Sequence, residues 1–401
     1  MIKLDETFEF DNVLSSYFQV CKGKRNHLNV IRYEERRLSN LSDLQDRVLD
    51  HVYYPGHDAR FLVYEPKKRE IVSNDFEDKI VQDVICNVAL GPTMSARLIY
   101  DNYASQPGKG TGLALQRMNQ FLHSYFNTYQ TNEGYVLQCD IRKYFDHIQI
   151  PIVANLIDEL PFDTHLKDLL GIEVRSTNPD GIGVCIGHQC SQWVAVYFLN
   201  HMDHFIKEVL KIKYYGRYMD DFYLIHPNKR YLQYCLEQIS TMLEAIGLEL
   251  NQKTQIMPLR NGIKVLGFHT YLGETGKVTM QIKSESKKRI LKRFNKYKTL
   301  VETNIISMEE VVYAYGSWKA YAVNGNTEGI LYAIDRRFYD LFKPNLIEAG
   351  IDFSETCYIP GRYKRGAIIK PRDLAWAKER YGLTDAQKYE AAQFRQQLLV
   401  V

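Results

Sequence analysis

Gly216-Arg217-Tyr218-Met219-Asp220-Asp221-Phe222-Tyr223-Leu224-Ile225 is the stretch on which the fold turns. Residues 212–226 read as two strands around a tight turn, because apolar and aromatic residues flank a short polar centre. Two adjacent carboxylates at the tip of an apolar hairpin repel one another, and the neighbouring strand desolvates them. A divalent cation removes that cost, since Mg²⁺ takes hard oxygen ligands. An Asp-Asp pair in a solvated turn is the bland alternative. Tyr218-Met219-Asp220-Asp221 as a whole is expected by chance in roughly one of several hundred chains of this size.

Upstream, GYVLQCDI (residues 134–141) is a short run of strand formers ending in Asp140, and Phe145 follows five residues later in a turn leading to a helix. Asp140 and the hairpin would together place three carboxylates around two cations, the usual means of in-line phosphoryl displacement. Residues 190–210 read as helix, and 229–247 as a helix stopped by Gly247. The order strand, helix, hairpin, helix, strand predicts an α+β fold with a split βαβ-type sheet backed by helices.

Further from the hairpin the signals are simpler. Residues 1–60 read as mainly helical, with a basic patch at Lys22, Lys24 and Arg25. Residues 61–72 read as two strands joined by the turn 65–68, and 75–90 as a helix carrying Phe76, Ile80, Val84 and Val88 on one face. A glycine-containing loop enters a helix at 108–126. Its Gly108-Lys109-Gly110-Thr111 lacks the phosphate-loop spacing, which excludes an NTPase of that type. Residues 283–298 hold eight Lys or Arg against only Glu285, where a solvated helix would alternate signs. Trp318 reads as part of a packed helix.

The chain has 401 residues, 45% apolar and 25% charged, with a net charge of +3. That composition is ordinary for a globular protein and suggests two or three domains. No apolar run reaches the length of a membrane span, and the acidic start does not read as a secretion signal. Seven widely spaced cysteines without a C-x-x-C read as reduced thiols in a cytoplasmic protein. Most of the 29 tyrosines are expected to fill half-buried surface.

Taken in order, these motifs resemble a reverse transcriptase over roughly residues 60–330. YEPKKREI with FEDKIVQ resembles the fingers motifs, VLQCDIRKYFDHI the first palm motif, and IGHQCSQ the motif supporting template and nucleotide. GRYMDDFYLI resembles the catalytic hairpin, and LELNQKTQ and VLGF the two palm motifs after it. The resemblance implies a right-hand polymerase: N-terminal region and fingers at 1–125, palm at 126–275, helical thumb at 276–345 and a basic tail at 346–401. It implies RNA-directed DNA synthesis with two Mg²⁺ ions, Mn²⁺ being a substitute. Asp140, Asp220 and Asp221 would be catalytic, and the metal set would be Asp140, Ile141, Asp220 and Asp221. Lys67, Arg69, Phe145, Gln192 and Lys253 would serve the nucleotide. Phe145 would be a steric gate against the ribose 2′-hydroxyl, and Arg69 with Lys67 would hold the triphosphate. A basic turn on a solvated face is the alternative for the latter two, a core aromatic for Phe145, and an exposed structural lysine for Lys253. Lys287, Lys288, Lys292 and Arg293 would contact the primer–template backbone without reading sequence.

Ile186-Gly187-His188-Gln189-Cys190-Ser191-Gln192 narrows the resemblance. An aliphatic residue before Gly187 and Ser191-Gln192 at the end are similar to diversity-generating retroelement enzymes, which copy a template-repeat RNA into cDNA with errors at template adenines. Ile186, Gly187, Ser191 and Gln192 form that fidelity motif, whereas His188 and Cys190 depart from the expected pattern. The implied partners are an RNA template, a DNA or RNA primer, dNTPs and a small basic accessory protein, with no membrane. A group II intron-like or antiphage-defence enzyme is the alternative lineage. An RNA-binding protein on an inactive polymerase scaffold is the non-enzymatic alternative. No RNase H, maturase or endonuclease domain is expected.

Overall fold

The computed structural model describes residues 1–64, 67–175 and 181–351. The tail expected from residue 346 therefore lies, beyond 351, outside the described residues. The described residues form two compact units, Met1–Gly108 with Leu137–Ile256, and Lys109–Val136 with the described residues from Met257 on.

Nine strands are described: β1 (Ala59–Val63), β2 (Arg69–Ser73), β3 (Tyr135–Asp140), β4 (Tyr214–Tyr218), β5 (Asp221–His226), β6 (Gln255–Pro258), β7 (Ile263–Val265), β8 (Phe268–Leu272) and β9 (Val278–Ile282). They make three sheets, a β1-β2 ribbon, a sheet of order β4-β5-β3-β6, and a sheet of order β7-β8-β9. β1 and β2 pair antiparallel, as do β4 and β5, β7 and β8, and β8 and β9. With helices from Leu4 to Glu348, the fold is α+β.

In the first unit the helix Gln189–Phe198 is apolar on nearly every side, and its residues from Trp193 to Phe198 are all buried. A helix without a polar face belongs inside a core, and Tyr144 donates to its Ala195 carbonyl at 2.5 Å. The helix expected at 75–90 is α-helical over Phe76–Val84 and widens to a π-helical segment over Ile85–Leu90. The helix expected at 190–210 is likewise broken, running as Gln189–Phe198, Asn200–His204 and a π-helical segment Phe205–Val209. Apolar spacing alone does not separate a 3.6-residue turn from an occasional wider one. Lys229–Ala245 is helical, capped by the Asn228 side chain and ended just before Gly247 at φ 76°.

In the second unit Ser284–Glu302, Met308–Ala322 and Glu328–Glu348 are helices with a shared core that includes Phe294, Tyr315, Phe338 and Phe342. Ser286, Ile290 and Phe294 are the buried positions of the first helix, four residues apart. Lys288, Lys292 and Arg293 are thereby left exposed, and Lys287 half-buried. A Ser307–Glu310 capping box starts the second helix. Trp318 stacks near Tyr315 and its indole N–H donates to Ser286. The helix Thr111–Tyr129 joins the same unit through Leu115, which packs with Phe268, Met280 and Ile282.

Among the described residues no helix is long and apolar enough to cross a membrane. Six cysteines there are free thiols, and Cys86 and Cys190 approach to 3.6 Å between sulfurs.

Candidate active site

Asp140 closes β3, and Asp221 opens β5, the strand beside it. The Ile141 N–H donates to the Asp220 carbonyl at 3.2 Å, and the Asp140 carbonyl accepts from Asn251 N–H at 2.7 Å. Asp140 is thus held between the hairpin turn and the segment leading into β6. Val136, Leu137 and Cys139 of β3 are buried, which anchors the strand whose end carries the carboxylate.

Burial pushes the Asp220 carboxyl above the ordinary carboxylate range, and the charge on Asp140 pushes the same way. Arg69 and Lys67 oppose that shift, so the β1–β2 hairpin brings its cations within electrostatic reach of Asp220. Burial raises the Cys139 thiol as well, followed by the charges of Asp221 and Asp140. Clustered, partly desolvated carboxylates are a donor set that suits a hard divalent cation. The Ile141 side chain has no donor atom, so this residue joins the set only through its carbonyl. Among the described residues no three His, Cys, Asp or Glu side chains group tightly enough to hold a metal by themselves. Backbone and substrate oxygens would complete the coordination shell that these carboxylates begin.

The turn between Tyr218 and Asp221 holds two residues, and Met219 takes a left-handed φ of 55°. A side-chain-bearing residue there costs about 1 kcal/mol or more and persists where surroundings enforce it. Arg217 does the enforcing. Its guanidinium donates to the Met219 carbonyl at 2.9 Å and to the Val196 carbonyl at 2.9 Å. It also forms a bidentate pair with Asp203 at 2.8 and 2.6 Å, and both side chains are fully buried. Asp203 further accepts from Tyr215 and from Asn102. Sequence reasoning passed over Arg217, although an arginine among the apolar residues of a strand is itself a signal that a buried acid waits for it.

Phe145 is half-buried, edge-on to Tyr144, and its carbonyl accepts from Val184 N–H at 2.8 Å. Lys253 is exposed, on a turn closed by the Asn251 side chain. Gln192 is exposed on the first turn of Gln189–Phe198, near Ser105, while Ser191 is buried beside Cys185. Lys287, Lys288, Lys292 and Arg293 belong to the second unit.

The motif 186–192 is laid on β2. Val72 N–H donates to the Ile186 carbonyl at 2.9 Å. Gly187 has φ 132°, and a Cβ there would fall 2.1 Å from the Val72 carbonyl oxygen. The neighbour is backbone and has no way to yield, so the position demands glycine. Gly187→Ala is expected to separate the motif from β2 and to lower stability by about 1–3 kcal/mol. Denaturant unfolding measures this, and an unchanged midpoint contradicts it.

A family profile described as "Reverse transcriptase (RNA-dependent DNA polymerase)" matches residues 66–270, just over half of the chain. No curated protein sequence matches. Among solved structures, the fold is similar to telomerase from Candida albicans in complex with a TWJ fragment of telomeric RNA (14% identity, TM-score 0.45, covering 73% of this chain and 55% of that one). It is similar also to apo telomerase from Candida tropicalis (14%, TM-score 0.42, 62% and 54%). The form of that telomerase truncated from the C-terminal domain gives 14%, TM-score 0.42 and 60% of each chain. The chain spans between 54% and 60% of the length of these telomerase chains. With its match centred on β3 and the β4–β5 hairpin, the chain belongs to the reverse transcriptase (RNA-dependent DNA polymerase) family.

Proposed function

We propose that the chain is an RNA-directed DNA polymerase that extends a primer on an RNA template by nucleotidyl transfer. The observation that carries this reading is the junction of Asp140 with Asp220, through the Ile141–Asp220 backbone bond, within reach of Lys67 and Arg69. Two Mg²⁺ ions, or Mn²⁺ in their place, would supply activation of the primer hydroxyl and stabilisation of the departing pyrophosphate. Asp140, Asp220, Asp221 and the Ile141 carbonyl would hold them. Arg69 and Lys67 bind and orient the triphosphate, the guanidinium by a fork suited to phosphate oxygens. Lys253 gives a proton to the pyrophosphate. Residues 1–125 act as N-terminal region and fingers, 126–275 as palm, 276–345 as thumb, and Lys287, Lys288, Lys292 and Arg293 grip the duplex backbone.

Primer extension with Mg²⁺ on matched RNA and DNA templates tests the reading. Full-length cDNA on the RNA template is expected. No extension on either template leaves the RNA-binding, inactive-scaffold reading instead. Phe145, as the gate, excludes a 2′-hydroxyl. Phe145→Ala is expected to raise ribonucleotide incorporation roughly tenfold or more relative to dNTPs, read from alkali-labile product, and unchanged discrimination contradicts the role.

Within the family, the aliphatic Ile186 and the Ser191-Gln192 ending support mutagenic retrotranscription in a diversity-generating retroelement, with a small basic accessory protein as partner. Ile186 in place of an amide removes a polar contact beside the nascent pair and loosens geometric checking. Ile186→Gln is expected to lower misincorporation at template adenines, and an unchanged error spectrum in sequenced cDNA counts against it. His188 and Cys190 favour a second reading, a group II intron-like or antiphage-defence enzyme, which the same sequencing separates by the absence of adenine-directed errors.

A further inference from the structure

His188 departs from the motif pattern, and the chemistry above makes no use of it. It is 1% exposed. Its Nδ1 lies 3.1 Å from the Asn74 amide nitrogen and 3.1 Å from that of Gln82, and its Nε2 lies 3.1 Å from Asp58 Oδ1. Two amide donors on Nδ1 leave the ring proton on Nε2, where it donates to Asp58. Burial, the largest influence on the ring, also favours the neutral form.

The partners are placed tellingly. Asp58 is the residue before β1, and Asn74 is the residue after β2. One imidazole therefore ties both ends of the hairpin that carries Lys67 and Arg69. Apart from the Val72–Ile186 backbone bond, the hairpin is thinly packed: all five residues of β1 are exposed, and in β2 Val72 is buried and Ile71 and Ser73 half-buried. The ring's third partner is itself fixed. Gln82 accepts from Gln189 N–H at 2.9 Å, which caps the helix Gln189–Phe198, and donates to Glu173 at 2.6 Å. The Tyr53 hydroxyl lies between Asp78 (2.7 Å) and Glu173 (2.9 Å), and burial pushes the Glu173 carboxyl up to about 7.

We infer that His188 is a positioning residue: it fixes the root of the β1–β2 hairpin against the 186–192 motif and so sets where Lys67 and Arg69 stand relative to Asp220. The inference rests on the polymerase reading, in which that hairpin holds the triphosphate. A buried, fully bonded ring at the base of a thinly packed ribbon controls the direction of its tip, and small displacements at a binding group carry large kinetic costs.

The test uses the full chain and dNTP titration. His188→Ala and Asp58→Ala are each expected to raise KM for dNTP roughly tenfold with kcat within about twofold. Added to Arg69→Ala, neither raises KM further, because the route to the nucleotide is already cut. A fall in kcat at unchanged KM, or effects that multiply with Arg69→Ala, overturns the inference. Asp58→Ala, at the less buried end of the tie, decides the matter if His188→Ala does not fold. Hydrogen exchange gives a readout independent of catalysis. Amides of 59–64 and 67–73 should exchange faster in both variants while 135–140 and 214–226 keep their protection. Unchanged hairpin protection, or protection lost throughout, overturns it. A wild-type protein that fails to polymerise contradicts the proposed function instead, and the exchange result alone then judges His188.

Discussion

Asp220→Asn abolishes primer extension, with a loss of about 10³-fold or more in kcat, and leaves the fold intact. The amide keeps the shape of the side chain and its backbone contacts but has no charge for a divalent cation. Stability should move the other way. The Asp220 carboxyl is raised above its ordinary value by burial and by Asp140. A carboxyl that binds its proton more tightly folded than unfolded makes the native state lose stability as pH rises from the unfolded value through the folded one. The asparagine variant escapes that loss, so without metal it should be at least as stable as wild type above that window and no better below it. Activity lost together with stability at neutral pH would mean that the carboxylate serves folding, contrary to the account.

The second large effect is expected at Arg217. Arg217→Met removes the partner of a fully buried Asp203 and frees the Met219 carbonyl at the hairpin tip. An uncompensated buried charge costs about 3–5 kcal/mol, and the left-handed Met219 loses what enforces it. Denaturant unfolding should show that loss, and any folded remainder should extend primers poorly because the carboxylate turn has relaxed. Arg217→Met with Asp203→Asn should recover a large part of the stability, since no charge is then left buried. It should not recover activity, because the tie to Met219 is still missing. A loss below about 1 kcal/mol in the single variant would show that the pair does not hold the turn.

How much of this was legible follows from the range of the interactions. The hairpin, β3 and the β1–β2 ribbon were readable because strand alternation and turn residues are local signals. Asp140 was readable because its strand ends on it, and Asp220 because it sits in the tight turn between two apolar strands. The π-helical segments were not, since Ile85–Leu90 has the same apolar spacing as the α-helix before it. The assignment of Thr111–Tyr129 to the core of the second unit depends on Leu115 meeting Phe268 and Met280, far along the chain. His188 was visible as an anomaly in its motif, but its partners come from residues 58, 74 and 82, more than a hundred positions away. Arg217 was hidden for a similar reason: its meaning lies in Asp203, on a helix that precedes the strand.

Anomalous diffraction from Mn²⁺, in crystals of the wild-type protein with an RNA–DNA hybrid and a non-hydrolysable dNTP, reaches the root of the account. Two manganese peaks bounded by the Asp140 and Asp220 carboxylates are predicted, both weakened or lost in Asp140→Asn. A nucleotide bound with no peak between those carboxylates, or with the two side chains turned apart, would contradict it.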